Sequence, residues 1–346
     1  MKRKIFSAIS IITGSIFLVN MLVGWTEKPI TVNRVDIENS VSKSFLLLQK
    51  SGYTFVERNR NKCVSCHHNA LTSMVAGMAR QKGIPEVDSL TVHRITALEN
   101  TLRVAVNPNF TNEFIAANFS APYILLGLYA EKYPANLYTD IGVDYLISQA
   151  NPDGSFLTET FRVPLECGEI HLASMSIRAI QLYAAPAKKN RVNEMVARTK
   201  QFIENANPVE QQEFAFQLLG MQWCGSDKEN KIKVVEKIKS MQRDDGGWAQ
   251  LSSMQSDAYA TGQSLYALFE SGMMTTDDPV YQKGMNYLIK TQDESGAWIV
   301  PTRSYPIQPF FNSDFPPYDE NQFISATSSN WAAMALLEAL PDKAMK

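Results

Sequence analysis

The segment IKSMQRDDGGW, residues 238–248, ends an apolar-periodic helix at a glutamine and reaches a tryptophan through a polar turn that contains glycine. The same order recurs in LLLQKSGYTF (46–55), LISQANPDGSF (146–156) and LIKTQDESGAW (288–298). The glycines at 52, 154, 247 and 296 are separated by 102, 93 and 49 residues, which fits a unit of about 50 residues with two degenerate copies. A period of this length predicts an array of supersecondary units.

Six segments read as helices that are apolar on nearly every face, a pattern typical of buried helices. They begin at His68, Pro122, His171, Glu213, Asp257 and Ser325, and the small residues in them permit close packing. Amphipathic helices lie between them, for example at 192–206, 229–242 and 280–292, and no stretch shows sustained strand alternation. The sequence therefore predicts an all-α (α/α)6 toroid, a double ring of six inner and six outer helices.

The Q…G-x-W/F turns resemble the QW repeats of squalene–hopene cyclases, and DAYATGQSLYAL from Asp257 resembles the start of an inner helix in their C-terminal half. The resemblance covers the chain from about residue 36 and extends to the terpenoid cyclase and protein prenyltransferase superfamily of α/α toroids. It implies that all QW-like turns lie at one rim of the ring. We expect the glutamine to cap an outer helix and the aromatic ring to pack into the joint. Such turns indicate a fold and not a reaction.

Cyclase chemistry is not expected. Squalene–hopene cyclases protonate an alkene with the middle acid of a D-x-D-D-T-A segment, whereas residues 257–262 read DAYATG here. Tyr259 stands at the proton-donor position, and a phenol with a reference pKa near 10 is too weak an acid for that step. Asp257, at the first acid position, is predicted to be a helix N-cap. Prenyltransferase chemistry would need a zinc site of Asp, Cys and His, of which only Cys167 and His171 suggest a pair.

The segment NRNKCVSCHHNALTSM, residues 59–74, contains the sequence C-x-x-C-H at Cys63, Cys66 and His67. This spacing predicts covalent attachment of haem c, in which the two thiols bond to the vinyl groups and the histidine binds the iron. Three alternatives remain open: a disulfide or redox-active pair in an exported protein, a zinc site if two further ligands approach, or chance.

Other histidines and cysteines are weighed by their position in the repeat. His171 begins the third inner helix much as His68 begins the first, so we expect both at the same mouth of the ring. His171, with Cys167 four residues before it, is the candidate to complete a metal site with His67 or to act as a sixth haem ligand. His68 is expected to line the cavity or to cap. The remaining residues are expected to be packing or surface residues: Met74, Met78, His93, Cys224, Tyr259, Tyr266, Phe323 and Trp331.

The N-terminus begins MKRK and continues without a charge from Ile5 to Gly24. Residues 1–25 are therefore predicted to be a signal peptide or an N-terminal membrane anchor, since about twenty apolar residues also suffice to span a bilayer. Residues 26–346 are expected to form one toroid domain, either periplasmic or anchored in the inner membrane and facing the periplasm.

Charge and these motifs bound the function. The chain has 33 basic and 35 acidic residues, and without the first 24 residues, which hold three basic and no acidic ones, the net charge is about −5. With no basic stripe, nucleic acid is not an expected partner. The first hypothesis is a non-cyclising haem protein with an electron-transfer or redox-sensing role, which implies a redox partner. The alternative is a module that binds an isoprenoid or other apolar lipid and uses the cysteine pair as a disulfide or zinc site.

Overall fold

The computed structural model describes residues 31–59, 62–105, 117–158, 162–304 and 312–343. The predicted signal peptide or anchor at 1–25 lies outside these residues. The described parts of the chain contain twelve α-helices and three isolated β-bridges but no strand. None of the described helices has both the length and the apolar character needed to cross a membrane.

Six of the helices form a closed inner ring. In chain order they are α2 (Leu71–Lys82), α4 (Ala117–Ala130), α6 (Glu169–Tyr183), α8 (Gln211–Trp223), α10 (Ala258–Glu270) and α12 (Gln322–Glu338). Each packs against the next, and α12 packs against α2, so that the ring closes. These are the six segments that the sequence predicts to be buried, and nearly all residues of α12 are indeed buried.

The other six helices form the outer layer: α1 (Arg34–Arg58), α3 (Asp88–Ala105), α5 (Leu137–Ser148), α7 (Lys189–Asn205), α9 (Lys228–Ser240) and α11 (Pro279–Thr291). Each contacts one or two inner helices and buries only one side. The predicted (α/α)6 toroid is therefore confirmed.

Close packing of the inner helices depends on small residues, as the sequence predicts. A Cβ atom on Gly262 of α10 would lie 2.6 Å from the backbone nitrogen of Ala332 in α12. Real side chains do not tolerate such a contact with backbone, so this crossing requires glycine.

The tryptophan of each QW-like joint caps the preceding outer helix. Trp248 donates its indole N–H to the carbonyl of Ile238 at 2.7 Å, and Trp298 donates to the carbonyl of Leu288 at the same distance. Both carbonyls lie in the last turn of an outer helix, where backbone acceptors lack partners within the helix.

The side chain of the joint's glutamine bonds to the turn and to the next outer helix. The Gln242 side-chain amide donates to the carbonyl of Gly246 at 2.9 Å and to the carbonyl of Val280, at the start of α11, at 2.8 Å. Gln292 repeats this with Gly296 and with Ser40 of α1, each at 3.0 Å. Gln149 and Gln292 do occupy the C-cap positions of α5 and α11, as expected. The side-chain amides of Gln242 and Gln292, however, join the turn to the next outer helix.

One of the four predicted turns is wrong. Residues 46–55 lie inside α1, which continues without a break from Arg34 to Arg58. Gly52 allows α1 to pack closely on the π-helical turn at His68, since a Cβ at that position would lie 2.5 Å from the carbonyl oxygen of His68. The turns that follow α5, α9 and α11 each lead to the start of an inner helix, and therefore lie at one rim.

Candidate functional site

The first turns of the inner helices meet at one end of the ring, which we call the mouth. Side-chain contacts connect the start of each helix to a neighbour: Cys66 with Ser120 (3.8 Å), Tyr123 with His171 (2.8 Å), His171 with Gln212 (3.4 Å), Gln212 with Tyr259, and Phe323 with His67 (5.7 Å between rings). His68 and His171 thus lie at the same mouth, as the sequence predicts.

The C-x-x-C-H segment enters the mouth just before α2. Residues 63–65 are not helical, and Cys66–Ala70 form a single π-helical turn. Ser65 caps this turn, because its hydroxyl accepts a hydrogen bond from the backbone N–H of His68 at 3.0 Å. Single π-helical turns are uncommon and occur frequently at functional sites.

Neither cysteine of the motif is part of a disulfide, and Cys63 is half-buried while Cys66 is buried. Burial raises the pKa of the Cys63 thiol. Burial, and then the nearby Glu166 carboxylate, raise the pKa of Cys66 to about 12. Both thiols are therefore protonated at neutral pH, whereas a redox-active cysteine pair depends on a thiolate with a lowered pKa. The raised pKa of both thiols disfavours the redox-active alternative.

His67 is buried, and its ring makes no hydrogen bond to any residue that the structure describes. The residue is 3% exposed, and its ring lies 5.7 Å from that of Phe323. Its backbone carbonyl accepts a hydrogen bond from Asn330 at 2.7 Å, but its ring nitrogens have no partner among the described residues. Burial holds the pKa of His67 well below its usual value, and Arg162 and His68 lower it further. The imidazole is therefore neutral, with a lone pair free to bind a ligand.

His68, the next residue, is fully engaged. Its Nδ1 lies 3.2 Å from the Ser65 hydroxyl and its Nε2 lies 2.9 Å from the Ser313 hydroxyl. The ring stacks on Phe55 with 5.0 Å between centroids. Burial lowers the pKa of His68 to about 3, so the ring is a neutral packing element that fixes the entry to α2.

His171 is also engaged at both nitrogens. Its Nδ1 lies 3.1 Å from the Cys167 carbonyl, which can only accept, so Nδ1 carries the proton. Its Nε2 then accepts from the Tyr123 hydroxyl at 2.8 Å, and its ring stacks on Phe216 at 4.1 Å. Burial lowers the pKa of His171 to about 4. In the described part of the chain, no group of three His, Cys, Asp or Glu residues is arranged to hold a metal ion.

A loop segment covers the mouth, and the sequence carries no motif that reveals it. Residues 162–168, which we call the strap, hold a bidentate ion pair between Arg162 and Glu166 with distances of 2.7 and 2.8 Å. The carbonyl of Pro164 accepts a hydrogen bond from Gln212 at 2.8 Å, and the carbonyl of Val163 accepts one from Ser304 at 2.8 Å. The strap is thereby fixed to α8 and to the segment that follows α11.

Aromatic residues line the interior of the ring beyond the mouth. Phe216 and Trp331 join α8 and α12, which are not neighbours in the ring, with 5.9 Å between ring centroids, and Tyr266 lies 5.6 Å from Trp331. These residues are buried, as predicted for ring core. The indole nitrogen of Trp331 and the Oε1 atom of Gln263 are nevertheless buried without a hydrogen-bond partner.

The position equivalent to the cyclase acid has a structural role. Asp257 accepts a hydrogen bond from the backbone N–H of Ala260 at 2.8 Å and one from Gln250 at 3.1 Å, which confirms the predicted N-cap of α10. Burial raises the pKa of Tyr259 far above its usual value, and the phenol donates its proton to Gln212. Neither group is placed as a strong acid.

The other weighed residues have ordinary environments. Cys224 is buried, and burial raises the pKa of its thiol to about 12, as expected of an inert thiol. Met74 and Met78 are partly buried against the core. His93 lies on the outer layer, where its ring contacts the Glu57 carboxylate at 2.9 Å.

No protein-family model matches the chain, and no curated protein matches its sequence. Solved structures do resemble it. The type II terpene cyclase MstE from Scytonema is 14% identical, covers 90% of this chain and 99% of its own, and has a TM-score of 0.60. A variant of that enzyme in complex with geranylgeranyl dihydroxybenzoate is 14% identical over 89% and 99%, with a TM-score of 0.57.

A glycosidase variant in complex with glucose is 9% identical, covers 90% of this chain and 100% of its own, and has a TM-score of 0.56. At identities this low the likeness concerns the fold alone, and that fold serves unrelated reactions. The chain is an α/α toroid of the kind found in type II terpene cyclases.

Proposed function

We propose that this protein is an exported, non-cyclising toroid that carries a c-type haem at Cys63, Cys66 and His67 and exchanges electrons with a redox partner. The observation that carries the proposal is the unpartnered ring of His67. Three histidines are buried at the mouth, and only His67 lacks hydrogen bonds to its ring among the described residues. An imidazole whose nitrogens are not engaged by neighbouring side chains is available to bind a ligand, whereas those of His68 and His171 are not.

The donor set suits haem better than the alternatives. Two thiols three residues apart, neither in a disulfide, precede a neutral imidazole, which is the order that thioether attachment and axial ligation require. When bound, the haem iron would supply one-electron redox chemistry. A zinc ion would need further ligands, and both nitrogens of the nearby His171 are already engaged.

Export is part of the same proposal. The basic MKRK start and the uncharged run to Gly24 are typical of an export signal. An exported chain is what c-type haem attachment requires. The absence of a placed strong acid at Asp257 and Tyr259 supports a non-cyclising protein.

Covalent attachment is tested with the full chain, expressed with its N-terminal segment in a host that matures c-type haem. We expect a haem-stained band on a denaturing gel and a mass increase of one haem. Both should disappear in the Cys63→Ala/Cys66→Ala variant. The matched control is Cys167→Ala, a half-buried cysteine at the same mouth, which should keep the stain.

His67→Ala should keep covalent haem but change the visible spectrum, because the iron loses its axial ligand. A colourless wild-type protein, or stain that persists without Cys63 and Cys66, would overturn the proposal.

A second candidate function is binding of an apolar ligand inside the ring. It is favoured by the unpartnered Trp331 indole N–H and Gln263 Oε1 atom, which lie among aromatic walls and could bind an oxygen function of an isoprenoid. The test is mass spectrometry of lipid extracted from the purified protein. Wild type should release an isoprenoid or other lipid and Trp331→Phe should release less; protein that carries no lipid would exclude this candidate.

A further inference from the structure

A second cleft lies away from the C-x-x-C-H segment. It has a volume of about 500 Å³ and is bounded by the start of α8, the end of α9 and residues 249–253. Its apolar wall includes Phe214, Met241 and Leu251. This volume lies within the range of small-molecule sites, which usually combine apolar walls with a few polar groups.

The charged side chains of the cleft leave it positive. Lys237 lies 5.6 Å from the Phe214 ring and makes no ion pair among the described residues. Arg243 donates to the carbonyl of Ser252 at 3.0 Å and likewise has no acidic partner in the described part of the chain. The acid that lines the cleft, Glu210, is neutralised by a bidentate ion pair with Arg303 at 2.8 and 2.9 Å.

Two buried side-chain amides at the cleft each have an oxygen atom without a hydrogen-bond partner. Gln211 is 1% exposed and Gln250 is 2% exposed, and both line the cleft. Their nitrogens donate to Ser264 at 2.8 Å and to Asp257 at 3.1 Å, but neither Oε1 atom has a hydrogen-bond partner. A buried acceptor without a hydrogen bond is destabilising, so a donor is expected to reach this place.

The internal repeat shows that these cations do not belong to the joint itself. The tryptophan–carbonyl bonds align Trp248 with Trp298, an offset of 50 residues. At this offset Lys237 corresponds to Tyr287, and Arg243 corresponds to Asp293. The joint after α11 therefore forms the same tryptophan–carbonyl bond without either cation, which leaves Lys237 and Arg243 available for a ligand.

We propose that this cleft binds a small organic anion that has an apolar body and a hydroxyl or amine donor. The anionic group lies between Lys237 and Arg243, the apolar body packs on Phe214, and the donor reaches Gln211 or Gln250. The site is independent of the haem at Cys63 and Cys66 and of a ligand inside the ring.

The probe is 6-hydroxy-2-naphthoate, which has a carboxylate and a hydroxyl at opposite ends of an apolar body. Isothermal titration calorimetry with the full-length protein should detect binding that weakens at least about tenfold in the Lys237→Gln/Arg243→Gln variant. The matched control is Lys290→Gln, an exposed lysine on α11 outside the cleft, which should bind as wild type does. 2-Naphthoate, without the hydroxyl, and 2-naphthol, without the carboxylate, should each bind more weakly.

Absence of binding at millimolar probe would overturn the proposal. So would unchanged affinity in the double variant, because the probe would then occupy another place, or equal affinity for 2-naphthol, because the cations would then have no role.

Discussion

Hydrogen-bond partners distinguish otherwise similar side chains at the mouth of this ring. His67 and His68 are adjacent in sequence and both buried, and burial keeps the pKa of each well below its usual value. His68 is held between two serine hydroxyls, whereas the His67 ring has no such partner among the described residues. The His67 ring is therefore the one of the two that keeps its nitrogens available for a ligand.

The first prediction compares alanine variants of these two residues in the haem-free protein. His68→Ala removes the bonds to Ser65 and Ser313 and the stacking on Phe55, so we expect a loss of about 2–4 kcal/mol in the free energy of unfolding. His67→Ala loses no ring hydrogen bond and should cost about 1 kcal/mol or less. Urea denaturation measures both, and a larger loss for His67→Ala would show that its ring is structurally engaged.

At the scale of the element, the repeated joint is held by side chains that bond to backbone. Trp248 and Trp298 each satisfy a carbonyl in the last turn of an outer helix, while Gln242 and Gln292 connect the turn to the next outer helix. The joint after α5 has Phe156 in place of the tryptophan, so ring packing alone is sufficient there. The hydrogen bond is therefore an added stabilisation of the later joints.

Trp248→Phe tests this at one joint. The variant keeps an aromatic ring but removes the donor to the Ile238 carbonyl, and we expect a loss of about 1–2 kcal/mol in the free energy of unfolding. The control is Trp223→Phe, because the half-buried Trp223 indole donates no hydrogen bond within the described residues. Chemical denaturation of both variants should separate them, and equal losses would mean that ring size, and not the hydrogen bond, is responsible.

For the whole molecule, closure of the ring gives its two ends different chemistry. Neutral histidines lie at the mouth, and at the other end α10 and α12 finish with Glu270 and Glu338. Burial and then the Glu270 carboxylate raise the pKa of Glu338, Lys82 of α2 lowers it and Asp342 raises it, and together they bring it to about 7. Burial also raises the pKa of Glu270, although Arg178 of α6 opposes this. Two acids at adjacent helix C-termini oppose the helix dipoles when both are charged.

The pH dependence of stability follows from this pair. The folded state binds the Glu338 proton more tightly than the unfolded chain does, so its contribution is complete below the unfolded pKa and is lost as the pH rises through about 7. Glu338→Gln should therefore weaken the fall in the free energy of unfolding between about pH 5 and 8. Urea denaturation across this range is the measurement, with the exposed Glu294→Gln as control. A wild-type slope retained in Glu338→Gln would contradict the assignment.

The sequence by itself determined the ring. Helix periodicity and glycine-containing joints are patterns of residues close in sequence. They predict the six buried helices, the (α/α)6 architecture and the Asp257 cap, because the apolar face of a helix and its cap are both encoded locally. The C-x-x-C-H spacing likewise marks the segment at the mouth without any structure. These features need only residues within a few turns of one another.

Only the tertiary structure decided which polar groups are satisfied. His68 is bonded to Ser313, 245 residues away, and the Gln292 amide bonds to Ser40, 252 residues away. Such partners meet only when the ring closes, and no local pattern predicts them. For the same reason, no local pattern predicts the helical state of residues 46–55, the position of the strap or the lack of ring partners for His67 among the described residues. In the closed ring, α1 packs so closely on the π-helical turn that only glycine fits at position 52.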